Sequence, residues 1–303
     1  MTAAPAAPAA AMGATTAGRA VLVTGANTGI GRATAGALAE RGARVLMVAR
    51  DAGRGEDARR EVAARAERAG RGGSAEVLLA DLSVQAEVRR LGAAVRERAP
   101  RLDVLVNNAG GYFDARRETA DGVEATLALN HLAYVLLTRE LDAPLRAAGA
   151  ATGDARVVVV ASDAHQAVRA LPLDDLQARR GYGAVRQYSV SKLANVMWAY
   201  ALARRLEGTG VAVNALHPGV VGSNFAAGQG GLWGAFFAVA RPLLLSPEKG
   251  ARTSVYLASD PAIRGATGGY YKRQRPARSS AASRDVAAQE ALWAEGERLV
   301  GGG

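Results

Sequence analysis

The sequence predicts an α/β fold: a single domain with a doubly wound parallel sheet and helices on both faces. Short β-type runs alternate with helical segments from residue 19 to residue 300, which is typical of parallel sheets. The run ARVVVVAS is apolar at successive positions, which indicates a strand buried on both faces. No linker-like segment or internal repeat divides the chain, so we expect one domain.

Each strand is predicted from a short apolar run, and each helix from the longer segment that follows it. Gly42 and Pro100 end the first and third helices, because glycine is favoured just past a helix end and proline cannot continue a helix. The predicted strands are residues 20–25, 43–50, 75–82, 102–110, 155–162, 211–219 and a weaker 268–273. The predicted helices are residues 31–42, 54–69, 84–99, 124–148, 185–207, 247–259 and 285–300.

The composition excludes several classes of function. The chain has no cysteine, so disulfides, zinc-thiolate sites and thiol catalysis are excluded, and no group of residues has metal-ligand spacing. The formal net charge is +10, but the arginines are scattered along helices beside acidic residues. A nucleic-acid interface would need clustered charge with aromatic residues between, so we expect no nucleic-acid partner.

The ends and apolar runs of the chain predict a soluble protein. Residues 1–18 are a low-complexity stretch of Ala, Pro, Thr and Gly, which predicts a disordered tail before a catalytic domain at 19–303. The longest apolar run, residues 232–245, is too short for a bilayer and contains Arg241 and Pro242. We therefore expect no transmembrane segment and a cytoplasmic location.

A glycine-rich turn, TGANTGIG, follows the first predicted strand. Gly25 permits a tight turn, while Gly29 and Gly31 allow the backbone and the next helix to approach closely. The start of that helix offers N–H groups and a positive dipole end to a pyrophosphate. The turn therefore predicts a dinucleotide site that comprises Gly25, Asn27, Thr28, Gly29, Ile30 and Gly31.

The end of the second strand favours NADP(H) over NAD(H). An acidic residue there would bind the ribose hydroxyls of NAD(H), but the strand ends in Ala49 and Arg50. A guanidinium suits a 2′-phosphate in charge and in its forked hydrogen bonding. Asp51 beside it weakens the argument, and the alternative is that Arg50 is one more surface arginine.

Tyr188 and Lys192 lie four residues apart in a predicted helix, so their side chains share one face. The simplest alternative is an ordinary packing pair. However, Lys192, Lys249 and Lys272 are the only lysines among 38 basic residues, so a lysine at this position is informative. A neighbouring ammonium and a nicotinamide charge would lower the pKa of a tyrosine and suit it to acid–base work.

Five motifs, TGANTGIG, NNAG, SDAH, YSVSK and HPGVV, occur in order near the predicted strand ends. Together they resemble the short-chain dehydrogenase/reductase family, and the stretch from YSVSKLAN to HPGVV is similar to its retinol-dehydrogenase-like branch. The resemblance covers about residues 19–300. It implies a Rossmann-like single domain and an NAD(P)-dependent alcohol dehydrogenase or carbonyl reductase.

The resemblance also implies a set of site residues. The catalytic group would be Asn130, Ser162, Tyr188 and Lys192, with Ser162 bonding the substrate oxygen and Asn130 holding a water in a proton relay. Asp81 would meet the adenine, and Val220 with Ser223 the nicotinamide carboxamide, where the family more often has threonine. Tyr188 and Lys192 would also contact the cofactor, with Lys192 gripping the nicotinamide ribose. The further cofactor residues implied are Asp81, Leu82, Asn107, Ala109, Gly110, Pro218, Gly219, Val220 and Ser223.

The three histidines are predicted to have mainly structural roles. We expect His217 to shape the strand-to-loop turn before Pro218 and His131 to pack beside Asn130. His165 lies three residues after Ser162 and is a candidate for lining the substrate pocket.

The segment 222–245 is the predicted cover of the substrate pocket. Its aromatic and leucine residues favour a hydrophobic small-molecule substrate, and its glycines favour a lid that orders on binding. A subunit contact or a membrane-docking patch are the alternatives, and a homo-oligomer stays open.

The sequence thus predicts an NADP(H)-dependent oxidoreductase acting at a carbonyl or alcohol carbon. The alternatives are a non-redox enzyme of the epimerase or dehydratase type and a non-catalytic dinucleotide-binding regulator.

Overall fold

The structure is a computed structural model that describes residues 16–219 and 245–301. Its strands are β1 (Ala20–Thr24), β2 (Arg44–Ala49), β3 (Ser74–Leu79), β4 (Val104–Asn107), β5 (Ala155–Val160), β6 (Val211–His217), β7 (Gly269–Lys272) and β8 (Arg275–Pro276). Its helices are α1 (Gly29–Ala39), α2 (Ala52–Ala69), α3 (Gln85–Arg98), α4 (Ala125–Leu127), α5 (Ala133–Glu140), α6 (Asp142–Thr152), α7 (Ala184–Arg205), α8 (Pro247–Ser259) and α9 (Val286–Leu299).

The described strands form one sheet in the order β3-β2-β1-β4-β5-β6-β7-β8. The first seven strands in this order, from β3 at the edge to β7, pair only in parallel with one another. This arrangement confirms the predicted doubly wound sheet. The strand order reverses between β1 and β4, and in such sheets ligands bind in the crevice beyond the strand ends at that point. The topology therefore fixes where a site should lie.

The sheet is covered on both faces, as the apolar runs predict. Val157 and Val159 pack into one core with helices α3, α5 and α7, whereas Val158 packs into the other with α1, α2 and α8. Successive residues of a strand point to opposite faces, so a strand buried on both sides needs apolar residues at every position.

The short strand β8 was not predicted. It pairs antiparallel with β7 across a turn in which Arg273 and Gln274 both have positive φ. Such two-residue hairpin turns usually contain Gly, Asn or Asp, so the sequence carries no signal for this one.

The single helix predicted at residues 124–148 is wrong, because the chain is divided there into several pieces. α4 passes into a π-helical turn at Ala128–Leu132, then into α5, and a separate helix α6 begins at Asp142. Pro144 lies in the first turn of α6, where its missing N–H costs no helical hydrogen bond. The proline thus belongs to a helix start rather than to the end of a long helix.

The folded part of the chain begins inside the predicted tail. Thr16 is buried, its hydroxyl donates to the Leu38 carbonyl at 3.1 Å, and its N–H donates to the Arg41 carbonyl. Residues 16–18 therefore pack against the end of α1, while the rest of the predicted tail lies outside the described residues.

Within residues 16–219 and 245–301, none of the helices combines the length and apolarity needed to cross a membrane. Of the apolar run at 232–245, only Leu245 belongs to the described residues.

A buried threonine joins the ends of β1 and β4. The Thr24 hydroxyl accepts the N–H groups of Asn108 and Ala109 at 2.8 and 2.9 Å. The Asn108 side chain returns a bond to the Thr24 carbonyl at 2.7 Å. The loop after β4 is therefore held at the reversal point of the sheet.

We predict that Thr24→Val destabilises the protein, because the two N–H groups lose their acceptor. The free energy of unfolding should fall by about 2 kcal/mol or more, since unpaired buried donors cost about 1–3 kcal/mol each. Thr24→Ser keeps the hydroxyl and should stay within about 1 kcal/mol of the wild type. Urea unfolding measures both; equal losses in the two variants would contradict the hydrogen-bond explanation.

Candidate active site

A cavity of about 470 Å³ lies at the carboxyl ends of the parallel strands, where the strand order reverses. Most of the predicted cofactor residues line it. They are Gly25, Asn27, Thr28, Gly29, Ile30, Gly31, Arg50, Asp81, Leu82, Ala109, Gly110, Tyr188, Lys192 and Pro218. Its volume falls in the range of cofactor and ligand sites.

The glycine turn is built for close approach. Gly25 has a φ of +64°, a conformation that favours glycine, and a Cβ on Gly31 would lie 2.2 Å from the Gly25 carbonyl oxygen. α1 begins at Gly29, and its N-cap residue Thr28 makes no side-chain capping bond. The N–H groups of the first helical turn therefore remain for an anionic group, which fits a pyrophosphate.

Two arginines, Arg50 and Arg54, line the end of the cavity beyond β2 together with Asp51 and Asp81. The Arg50 side chain is 73% exposed, and one of its nitrogens lies 3.9 Å from an Asp81 carboxylate oxygen. Asp51 accepts the Arg54 N–H at 2.8 Å and so caps α2. The Asp51 carboxylate, which weakened the sequence argument for a phosphate site, therefore caps the start of α2. Arg54 also lines the cavity, and the sequence analysis missed it.

Among the described residues, two predicted cofactor residues, Asn107 and Gly219, do not line the cavity. Asn107 is fully buried, and its amide donates to the Thr138 hydroxyl at 3.0 Å; the next residue, Asn108, lines the cavity. Gly219 lies beyond Pro218 outside the lining. Val220 and Ser223 fall outside the described residues.

The structure brings Ser162, Tyr188 and Lys192 together. Tyr188 shares a hydrogen bond with Ser162, which follows β5, while Lys192 stands one turn further along α7. The Lys192 Nζ atom lies 5.6 Å from the centre of the Tyr188 ring and donates to the Val160 carbonyl at 3.2 Å. This phenol, hydroxyl and ammonium can together bind an oxygen atom and move a proton to or from it.

Burial acts on both titrating groups. Most of the surroundings of Tyr188 are protein, and this burial raises its pKa to about 12, against a smaller opposite effect of the Ser162 hydrogen bond. Burial lowers the pKa of Lys192 to about 8. The expected lowering of the tyrosine pKa is therefore wrong for the protein's own groups, and the phenol is protonated at neutral pH.

Asn130 lies in the π-helical turn, fully buried. Its Oδ1 accepts the Gly111 N–H at 2.7 Å, and its Nδ2 donates to the Gly111 carbonyl at 2.9 Å and to the Ser191 hydroxyl at 3.1 Å. A Cβ on Gly110 would lie 3.3 Å from Asn130 Oδ1 and 3.5 Å from Lys192 Nζ. The amide therefore holds the loop that separates it from the lysine.

The cavity also has an apolar side that was not predicted from the sequence. Tyr112, Phe113 and Leu129 line it, and the rings of Tyr112 and Tyr188 stand 6.3 Å apart. The sequence signal was the aromatic pair in NNAGGYF, directly after the fourth strand.

The three histidines support the site from outside the cavity lining. The Nδ1 atom of buried His165 lies 2.7 Å from the Ser162 carbonyl, and its Nε2 accepts the Ser280 N–H. His217 Nδ1 accepts the Asp163 N–H at 3.2 Å. His165, the candidate for lining the substrate pocket, is not among the described residues that line the cavity, and its ring bonds the loop after β5 and Ser280.

Comparison with known proteins adds independent information. A family model described as short chain dehydrogenase matches residues 19–230. The chain is 41% identical over 285 residues to a Streptomyces sp. (strain C5) protein named as a daunorubicin C-13 ketoreductase, covering 94% of this chain and 93% of that one. It is 38% identical over 301 residues to retinol dehydrogenase 14 of Homo sapiens, covering 94% and 87%. A solved structure of RhlG from Pseudomonas aeruginosa, an active-site complex with NADP, has a TM-score of 0.65 at 31% identity, covering 84% of this chain and 94% of that one.

We predict that Lys192→Met stabilises the cofactor-free protein at neutral pH. The folded pKa of about 8 lies below the ordinary 10.5, so the charged lysine opposes folding below pH 8. After allowance for the lost bond to Val160, the free energy of unfolding should rise by on the order of 2 kcal/mol. The gain should vanish as the pH rises towards 10.5, because the unfolded lysine then also loses its proton.

Denaturant unfolding of the wild type, Lys192→Met and the exposed control Lys249→Met between pH 7 and pH 10.5 measures this difference. The control should stay within about 0.5 kcal/mol of the wild type. A Lys192→Met variant that is less stable than the wild type at pH 7 would show that burial does not penalise this ammonium.

Proposed function

The chain belongs to the short-chain dehydrogenase family, and from this membership we propose an NADP(H)-dependent oxidoreductase that transfers a hydride between nicotinamide and the carbonyl or alcohol carbon of a hydrophobic small molecule. The family membership makes the chain an NAD(P)-dependent alcohol dehydrogenase or carbonyl reductase. The observation that carries the proposal is the hydrogen-bonded Tyr188 and Ser162 beside buried Lys192 at one end of the cavity.

The residues of the chain handle the proton in this reaction. When bound, the nicotinamide dinucleotide supplies or accepts the hydride. In reduction, the Tyr188 hydroxyl donates its proton to the substrate oxygen while the Ser162 hydroxyl holds that oxygen in place. A tyrosine with a pKa of about 12 is protonated at neutral pH, so Tyr188 carries the proton that reduction of a carbonyl requires.

Charge at the β2 end of the cavity supports NADP(H) as the cofactor. Ala49 occupies the position where an acidic residue would bind the ribose hydroxyls of NAD(H). Arg50 and Arg54 both line this end, and two guanidinium groups suit a 2′-phosphate. The similar RhlG structure is a complex with NADP, which agrees with this assignment.

The cavity wall supports a hydrophobic substrate. Tyr112, Phe113 and Leu129 form an apolar side near Tyr188. The names of the two relatives give retinol and a C-13 ketone of daunorubicin as substrates of those proteins. We therefore place the substrate of this chain among apolar ketones, aldehydes and alcohols.

The cytoplasmic location and the substrate cover at 222–245 stay predictions, and a homo-oligomer stays open. Nearly all of the segment 222–245 lies outside the described residues.

We predict that Tyr188→Phe abolishes turnover while NADPH binding stays nearly unchanged, because the change removes the hydroxyl that carries the transferable proton and keeps the ring. Reduction of a panel of apolar ketones and aldehydes, followed at the NADPH absorbance, measures the first effect, and NADPH fluorescence titration measures the second. Preserved turnover in Tyr188→Phe would contradict the mechanism. Product formation without net NADPH consumption would instead favour a non-redox reaction.

We predict that Arg50→Ala weakens the binding of NADPH but not that of NADH. Loss of a charge-assisted bond to the 2′-phosphate should raise the KM for NADPH about tenfold to a hundredfold, with little change for NADH. Arg60→Ala removes an exposed arginine of α2 that pairs with Asp57 outside the cavity lining, so it is the matched control. Equal losses for NADPH and NADH in Arg50→Ala would contradict the assignment of NADP(H).

A further inference from the structure

A buried chain of hydrogen bonds connects α7 to the π-helical turn. The Asn195 Nδ2 atom donates to the Asn130 backbone carbonyl at 2.8 Å. On its other side, the Asn195 Oδ1 atom lies 3.0 Å from His131 Nδ1. Asn130, His131 and Asn195 are all fully buried, so these bonds form without competition from solvent.

The direction of each bond in this chain is determined by its partners. A backbone carbonyl can only accept, so the amide nitrogen of Asn195 faces Asn130 and the amide oxygen faces His131. His131 must then donate from Nδ1, which leaves Nε2 as the unprotonated nitrogen, and Nε2 has no partner within the described residues. Burial lowers the pKa of His131 to about 4, which agrees with a neutral ring.

The Asn130 carbonyl that accepts this bond lies in the π-helical turn. A π-helical turn adds a residue to the normal helical repeat and changes which carbonyls find a partner along the helix. A buried carbonyl without a donor would cost free energy, and Asn195 supplies the donor to Asn130 from another helix. The turn is therefore stabilised from α7, three residues beyond Lys192.

Asn130 connects the π-helical turn to the loop that lines the cavity. Its side-chain amide makes two bonds with the backbone of Gly111, and Gly110 lies between Asn130 Oδ1 and Lys192 Nζ. A change in the turn would therefore move the loop of Gly110 and Gly111, which lines the cavity against the lysine.

We propose that Asn195 is a positioning residue of the reaction: through the Asn130 carbonyl it fixes the loop against Lys192, and so the environment in which Tyr188 transfers its proton. This inference rests on the proposed function for its kinetic consequence, but its geometric part concerns only the contacts of Lys192. Asn195 does not touch the cavity, so its effect is indirect.

A second buried asparagine provides a matched control. Asn214 in β6 donates to the Ala266 carbonyl at 2.6 Å and accepts the Gly269 N–H at 2.9 Å. It thus makes the same kinds of bond as Asn195, to a loop beside β7 rather than to the catalytic group. The change to leucine keeps the branched shape of asparagine at both positions and removes both hydrogen bonds.

The experiment compares Asn195→Leu with Asn214→Leu. In Asn195→Leu, kcat should fall at least about tenfold, because small misplacements of reacting groups cost up to about a hundredfold, while the KM for NADPH should change less than about threefold. The solvent deuterium isotope effect on kcat should increase, because proton transfer becomes slower. Asn214→Leu should lose comparable unfolding stability but keep kcat and the isotope effect.

His131→Leu tests whether His131 acts on the site through Asn195. It removes the donor to the Asn195 oxygen but leaves the bond to the Asn130 carbonyl, so its kcat should fall less than in Asn195→Leu. The double variant should be no slower than Asn195→Leu alone, since both changes act through the same bond. If the two changes lowered kcat independently, so that their effects multiplied in the double variant, the proposed series of hydrogen bonds would be overturned.

A second readout does not depend on turnover. Because the sequence has three lysines, selective labelling gives few NMR signals, and the titration of Lys192 can be followed directly. Its titration should move from about 8 towards the ordinary 10.5 in Asn195→Leu, as the loop loosens and water enters, and stay in place in Asn214→Leu.

The outcomes separate the two proposals. A wild type without hydride transfer, combined with a moved Lys192 titration in Asn195→Leu, would overturn the proposed function and support the positioning role. Identical behaviour of the two asparagine variants in kcat, isotope effect and lysine titration would overturn the positioning role and leave the proposed function intact.

Discussion

The ammonium group of Lys192 lies buried where β4 and β5 end, and a buried cation must find oxygen atoms to replace water. The Val160 carbonyl provides one, and Asn130 Oδ1 stands across Gly110 from the same nitrogen. A compact ammonium fits this arrangement, whereas a guanidinium would need a planar set of acceptors. This requirement explains why a chain that uses arginine for most positive charges has lysine here, and why its neighbours are packed so closely.

The sheet topology places the lysine where it can act. The reversal of strand order between β1 and β4 opens the crevice, and Thr24 closes its floor by bonding to the loop after β4. That loop continues to Gly110 and Gly111, which Asn130 binds from the π-helical turn. The glycine turn and Lys192 therefore belong to one connected wall of the cavity, held by buried hydrogen bonds whose loss is costly.

The sequence predicted the features that depend on local pattern. Alternating runs and the valine strand were enough to predict the sheet, and motif order was enough to single out Tyr188 and Lys192, which both line the cavity. It missed features that need a tertiary partner. A π-helical turn has the composition of an α-helix, and its bonds to Asn195 and Ser191 come from another helix. Arg54 was missed because its place beside Arg50 depends on how Asp51 caps α2.

Burial determines the direction in which the pKa values of Tyr188 and Lys192 depart from their ordinary values. Burial raises the pKa of Tyr188 more than the Ser162 hydrogen bond lowers it. The same burial lowers the pKa of Lys192 to about 8, nearer to neutral pH than the pKa of about 12 at the phenol. Near neutral pH, the charge of the pair therefore responds to pH through the lysine, while the phenol keeps its proton. Contacts that set the hydration of Lys192 thus control the electrostatics around the proton that Tyr188 holds.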